Sequence, residues 1–175
     1  MSRPKPDRGL VGAFANAFDG LRYAIRTQRT FRIHLIIAAV IAVLVFALDL
    51  DAVDAAVVVM AMALVIAAEL FNTGIEAVVD LLVQQNHHSA AQIAKDISAG
   101  SVLTTTVAAA IVGSLVLGPP LVRTVGLGPE TAVMLSRWAA AALLIAGAVG
   151  LVRLLRRSRR GPLPHASYSS GNHPV

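Results

Sequence analysis

The sequence predicts an all-α integral membrane protein. An N-terminal amphipathic helix lies in the membrane interface, three transmembrane helices follow, and a fourth transmembrane helix stands near the C-terminus. Three observations predict this. Of 175 residues, 56% are hydrophobic and only 14% charged, with a mean hydropathy of +0.70, a balance that soluble domains of this length do not keep. The apolar residues gather into four runs long enough, or nearly so, to cross a bilayer. Lysine and arginine crowd the two ends of the chain, which is how a membrane protein marks its cytoplasmic side. The net charge of +5 and pI near 10.7 therefore report membrane orientation, and no nucleic-acid partner is expected. Cysteine is absent, so disulfides and thiolate metal sites are excluded.

Residues 1–9 are short, basic and proline-containing (Pro4, Pro6), the composition of a disordered arm. No apolar signal-peptide core precedes the first long hydrophobic run. From Leu10 the apolar residues Leu10, Phe14, Phe18, Leu21 and Ile25 recur at helical spacing, while Asn16, Asp19, Arg22, Arg26 and Arg29 fill other faces. That pattern suits a helix lying on an anionic leaflet and is too polar to span. Residues 31–48 form the first candidate span, with His34 as the one polar residue from residue 33 onward. Asp49, Asp51 and Asp54 then mark a turn on the far side, where Asp51 or Asp54 can cap the next helix.

Residues 55–68 are uninterrupted apolar sequence, and helical periodicity continues to residue 82. A helix of about 30 residues is about 45 Å long, so its end must project beyond the roughly 30 Å hydrocarbon core. Residues 83–88 form a polar connection. Ser89-Ala-Ala-Gln92 has the capping-box pattern and starts the next helix, with Lys95 and Asp96 in its first turns. Ser98, Ala99, Gly100 and Ser101 permit close helix packing. Residues 102–117 complete the third span. The stretch 118–130 holds Pro119, Pro120, Gly126, Gly128 and Pro129 and is expected to be a connection. A fourth span covers about residues 131–152, with Arg137 and Trp138 at its outer interface. A basic cluster and a disordered tail over residues 161–175 follow. Of the loops placed outside, only one basic residue is found, Arg123. The positive-inside rule and the even number of spans put both termini and the 69–96 region in the cytoplasm.

The chemistry concentrates in Glu69-Leu-Phe-Asn72-Thr-Gly-Ile-Glu76-Ala-Val-Val-Asp80. At 100° per residue, Asn72 lies about 60° from Glu69, while Glu76 and Asp80 lie about 20° to either side. All share one narrow face that climbs from lipid depth toward water. Ionisable groups there are costly to place, which makes them functional candidates. A purely structural polar seam is the alternative, but three acids on one seam repel one another unless cations are present. Acids at a membrane–cytoplasm boundary suit Mg²⁺, which takes oxygen ligands and bridges nucleotide phosphates. Lys95 beside them suits a phosphate. A partly desolvated carboxylate can take a proton from an alcohol. The P-loop, protein-kinase, nucleophile-elbow and zinc-protease motifs are all absent from the sequence. Residue chemistry alone thus points to phosphoryl transfer onto a lipid hydroxyl.

With these residues in view, the chain resembles the prokaryotic diacylglycerol kinase / undecaprenol kinase family. The resemblance rests on Glu69-x-x-Asn72-x-x-x-Glu76-x-Val78-Val79-Asp80, on Ala94-Lys95-Asp96, and on Phe14-x-Asn16-Ala-Phe18-x-Gly20-Leu21-x-Tyr23-Ala24. Phe31-Arg32-Ile33-His34 is closest to the undecaprenol kinase branch. The likeness covers residues 10–117, a lipid-kinase-like membrane domain, and leaves residues 118–160 as an added helix with a basic end. It implies a homotrimer with three spans per subunit and active sites shared between neighbouring subunits, using ATP and Mg²⁺ on a membrane lipid substrate at the inner membrane. It implies Glu69 as general base and Glu76 as metal ligand. Asn16, Asn72, Glu76, Asp80, Lys95 and Asp96 fall at the nucleotide and its phosphates, with residues 86–88 nearby. Glu69, Ser98, Arg22 and Phe31 fall at the lipid substrate. A solvated first helical turn is the bland alternative for Lys95-Asp96, and a solvated loop for the two histidines at 87 and 88.

Two departures stand out. Where the family carries a second metal-binding glutamate, this chain has Gln28, which offers a carbonyl oxygen without charge. The fourth span lies outside the likeness. A catalytically weak or silent scaffold of the same fold is therefore the alternative function. A small ion-coupled transporter is a further one, but it would need a polar path to the outer side, and the middles of the other spans hold no acid.

Overall fold

A computed structural model describes residues 9–83 and 88–158 and, among these, is helical throughout with no strand. The elements are α1 (Leu10–Thr27), α2 (Arg29–Ala47), α3 (Ala52–Val83), α4 (Ser89–Val116), α5 (Gly118–Thr124) and α6 (Pro129–Ser158). Helices α2, α3, α4 and α6 are each long and apolar enough to cross a membrane. The N-terminal arm as far as residue 8, the connection 84–87 and the C-terminal tail lie outside the described residues.

Local chemistry explains the joints. Gln28 takes an extended backbone between α1 and α2 and turns the surface helix into the first span. Asp51 caps α3, its Oδ1 accepting from the N–H groups of Val53 and Asp54 at 2.9 Å each. Asp49, at φ 47°, occupies the left-handed region that short polar side chains tolerate. α4 does begin at Ser89, but no capping box forms. Its cap is His88, without a side-chain hydrogen bond, and Gln92 turns instead to Asp96.

The stretch 118–130 differs from a plain connection. Its first part is α5, and α6 already starts at Pro129. Pro119 and Pro120 fall in the first turn of α5, where N–H groups have no intrahelical acceptor, so a proline costs no bond there and presets φ. The bend comes afterwards, at Gly126 with φ 82°.

The helices form an open row. α3 and α4 share the most extensive interface, α2 packs on the other side of α3, and α6 packs on α4 with α5 tucked beside both. Among the described residues α2 touches neither α4 nor α6, as it would in a closed four-helix bundle. The buried apolar set is accordingly small: Ala24, Phe31, Val58, Val65, Val102, Leu117, Ala132 and Ala140. Large side chains cover the outside instead. Leu10, Phe14 and Phe18 of α1 are 81%, 65% and 64% exposed, the face an interfacial helix offers to acyl chains. With the family assignment below, these spans make the chain a membrane protein.

Candidate active site

α3 carries the site because it is longer than a bilayer is thick. Glu69 lies about 25 Å along the axis from Ala52, less than the roughly 30 Å of a hydrocarbon core, and Asp80 about 42 Å along, more than it. Glu69, Asn72 and Glu76 face the joint between α1 and α2 on one side and the first turns of α4 on the other.

Hydrogen bonds join these helices into one chain of polar groups. Ser98 Oγ donates to Asn72 Oδ1 at 2.6 Å, and Asn72 Nδ2 donates to Glu76 Oε1 at 3.0 Å. Gln28 Nε2 donates to Glu76 Oε2 at 3.1 Å, 48 residues away in sequence. Each oxygen of the Glu76 carboxylate thus receives one amide N–H, and the Ser98 hydroxyl fixes which way the Asn72 amide points. One turn further out, Lys95 of α4 pairs with Asp80 of α3. One turn and more deeper, Glu69 is 3% exposed, and its Oε1 lies 3.7 Å from Nε2 of His34, itself 8% exposed. Thr73, also buried, donates its hydroxyl to the Glu69 backbone oxygen at 2.9 Å. Phe31 is fully buried one turn before His34 on α2.

Of the residues singled out in the sequence, Glu69, Asn72, Glu76, Ser98, Gln28 and Phe31 thus gather at one place, with the Asp80–Lys95 pair above them. Asp96 stands apart on the exposed side of α4, bonded to Gln92 Nε2 at 3.0 Å. Asn16 and Arg22 lie exposed on α1. Asn86 and His87 lie outside the described residues. His34 and Thr73 were absent from the sequence-based set. The signal for His34 was available, since it is the one polar group in the apolar part of α2 and falls three positions after Phe31.

The donor set also bears on Mg²⁺. Among the described residues no three His, Cys, Asp or Glu side chains gather as a metal site. Glu76 is the one carboxylate at the amide cluster, with spare lone pairs on both oxygens and the Gln28 and Asn72 amides beside it. Such a set fits a Mg²⁺ that shares its ligands with nucleotide phosphates, the usual protein contribution being one or two carboxylates. An apolar groove of about 520 Å³ runs between α1 and α3 beside this cluster, lined in part by Gly20, Leu21, Ala24, Leu70, Thr73 and Gly74.

The family model described as Prokaryotic diacylglycerol kinase matches residues 15–117. The chain belongs to this family. The match spans α1 to α4, which hold every residue of the polar cluster, and stops before α5. Among curated relatives, a "Diacylglycerol kinase" of Synechocystis sp. is 45% identical over 112 residues, 64% of each chain. An "Undecaprenol kinase" of Bacillus subtilis is 32% identical over 109 residues, 62% of this chain and 88% of the relative. The chain thus spans a little under two thirds of the Synechocystis protein. The comparisons support family membership across two acceptor names.

Proposed function

We propose that the chain is an ATP- and Mg²⁺-dependent lipid kinase of the inner membrane, which transfers the γ-phosphoryl group to a lipid alcohol. The observation that carries this reading is the placement of a buried carboxylate, Glu69, below a hydrogen-bonded carboxylate, Glu76, and a cationic side chain, Lys95, on one polar line through the membrane boundary. A lipid hydroxyl reaches that line from below and a nucleotide from above. Both termini and the 69–96 region face the cytoplasm in this reading, and the protein works as a homotrimer. The open row supports assembly, since it leaves whole faces of α2 and α3 without a covering helix from the same chain.

In-line phosphoryl transfer asks a protein mainly for position and charge neutralisation. Glu69 accepts the proton of the alcohol in an apolar surrounding. Glu76 is the side chain that would hold Mg²⁺, whose charge would offset that of the phosphates; the Gln28 and Asn72 amides present N–H groups to it and would have to turn for a carbonyl oxygen to join. Lys95 leaves Asp80 to meet the same phosphates, an exchange of one exposed ion pair for another that costs little. Asp80 and Asp96 border the nucleotide side, and Asn16 and Arg22 reach it or the lipid headgroup from the surface helix. The α1–α3 groove suits the apolar part of the acceptor.

Undecaprenol is the acceptor placed first, on the Phe31–His34 resemblance, and diacylglycerol is the competing arm. The test is purified protein in lipid with labelled ATP and saturating Mg²⁺, offered both alcohols side by side. Label is expected in undecaprenol phosphate. Label in neither product would favour a silent scaffold, the reading that Gln28 in place of a second carboxylate supports.

A further inference from the structure

The deepest part of the polar line holds two side chains that almost meet. Glu69 of α3 and His34 of α2 are both buried, and Oε1 and Nε2 stand 3.7 Å apart. That is beyond a hydrogen bond. Among the described residues Glu69 Oε1 has no hydrogen-bond partner at all. A buried carboxylate oxygen left unbonded keeps its full desolvation penalty, so a third atom is expected to complete the pair. An oxygen at the usual distance of about 2.8 Å from each atom fits a separation of this size. Phe31 is buried one turn away on α2, and the largely apolar α1–α3 groove reaches Thr73, one turn from Glu69. α1, which lines one side of that groove, is the most sparsely packed helix among the described residues.

We infer that His34 and Glu69 together receive the hydroxyl group of the lipid acceptor. This rests on the lipid-kinase reading above and adds a residue to it. The hydroxyl donates its hydrogen to Glu69 Oε1 and accepts a hydrogen from His34 Nε2–H. One lone pair of the alcohol oxygen is thereby held by the imidazole, and another is left to meet phosphorus. In the transfer step the O–H bond breaks and its proton passes to the Glu69 carboxylate. The alcohol oxygen forms its bond to the γ-phosphorus as the bond from that phosphorus to the β,γ-bridging oxygen breaks, and the electron pair leaves on ADP. The imidazole keeps its proton throughout. His34 acts by orientation, the contribution that a small misplacement of the reacting oxygen reduces by up to about 100-fold. Its partner is a primary or otherwise accessible alcohol on an apolar chain, the class that can reach this depth.

The test compares His34→Ala, His34→Leu and His34→Gln in lipid with the same labelled ATP, measuring kcat, the KM for each substrate and thermal unfolding. Alanine and leucine are expected to lower kcat by about 10- to 100-fold at saturating acceptor, with the KM for ATP within twofold and the Tm held. Glutamine, whose amide N–H can donate, is expected to recover part of the loss. A leucine variant as active as the wild type would overturn the inference, as would glutamine no better than leucine. Loss of the fold in both glutamine and leucine variants would overturn it too, by making His34 structural. Wild-type protein that labels neither alcohol would sink the kinase reading and this inference together. Wild type that labels one while leucine equals it sinks this inference alone.

Discussion

The two halves of α4 are built from similar residues, but among the described residues only the first half sends side-chain bonds to another helix. In its first half, Ser98 sends its hydroxyl across to Asn72 of α3, and Lys95 reaches Asp80 on the same neighbour. In its second half, Thr104, Thr105 and Ser114 return their hydroxyls to carbonyl oxygens of α4 itself. α6 does the same, with Ser136 Oγ donating to Val133 O at 2.8 Å. There the contact is made by small residues: Ala132, Ser136 and Ala140 follow one another every four positions and are all buried, the small-residue spacing that lets membrane helices approach closely. A serine in a membrane helix is thus uninformative until its acceptor is known. Bonds within α4 occur in both halves, at Ser98 and Ser101 as well, so it is the bonds to a neighbouring helix that mark the end proposed to do the chemistry.

The largest effect expected from breaking this contrast is at Glu69. Glu69→Gln keeps size and hydrogen-bonding capacity but removes the proton acceptor, so transfer to the lipid alcohol should fall by about 10²- to 10⁴-fold. Thermal unfolding should change little, because neutralising a buried carboxylate removes a desolvation cost. Labelled-ATP transfer together with a melting curve reads both. Undiminished transfer would remove Glu69 from the reaction.

Gln28→Glu sharpens the contrast in the other direction. It replaces a donor to Glu76 Oε2 with a second carboxylate, which a divalent cation rewards and which repels Glu76 without one. At partly hydrated sites such a contact is worth about 1–4 kcal/mol, so the Mg²⁺ concentration for half-maximal activity should drop about tenfold. In chelator the variant should melt below the wild type and recover when Mg²⁺ is returned. A Mg²⁺ titration and a chelator melt that both match the wild type would place position 28 outside the metal's reach. Ser98→Ala is milder. It leaves Asn72 Oδ1 without its donor and frees the amide to rotate away from Glu76, at about 1 kcal/mol. A loss of about fivefold in kcat/KM for ATP should be measured, whereas Ser114→Ala, whose bond stays within α4, should leave it unchanged.

Much of this contrast could be read before any coordinates. Four spans, the surface helix, the overlong α3 and its single acidic face follow from periodicity and length, and Lys95, near that face in the sequence, pairs with Asp80. What local pattern misses is pairing over distance. Gln28 reads as a lost metal ligand, and only the fold brings its amide to Glu76. His34 reads as one tolerated polar group until α2 lies against α3 at the level of Glu69. Asp96 has the right neighbours in sequence but points to Gln92 on the open side of its helix. Pro119 and Pro120 read as breakers because their rule depends on position: they end a helix from its interior and begin one from its first turn.

The smallest effect on activity is expected at the packing end, where it should instead be a stability effect. A side chain added at Gly118 would bring its Cβ to 2.7 Å from Ser136 Cβ, closer than such atoms approach, so α5 and α6 must move apart. Gly118→Ala should therefore cost about 1–3 kcal/mol, as overpacking does, and lower Tm by several degrees. Ser136→Gly removes the atom it strikes. Alone it should cost about 0.5–1 kcal/mol for a glycine in a helix, yet combined with Gly118→Ala it should raise Tm above that of Gly118→Ala. Such a coupling between the two substitutions would assign the loss to this one contact. In all three variants kcat per folded molecule should equal that of the wild type, because among the described residues no hydrogen bond or ion pair joins the polar line to α5 or α6. A fall in kcat that the second substitution also repairs would mean that α6, through α4, sets the position of Ser98 and Lys95, and that the packing end takes part in the chemistry.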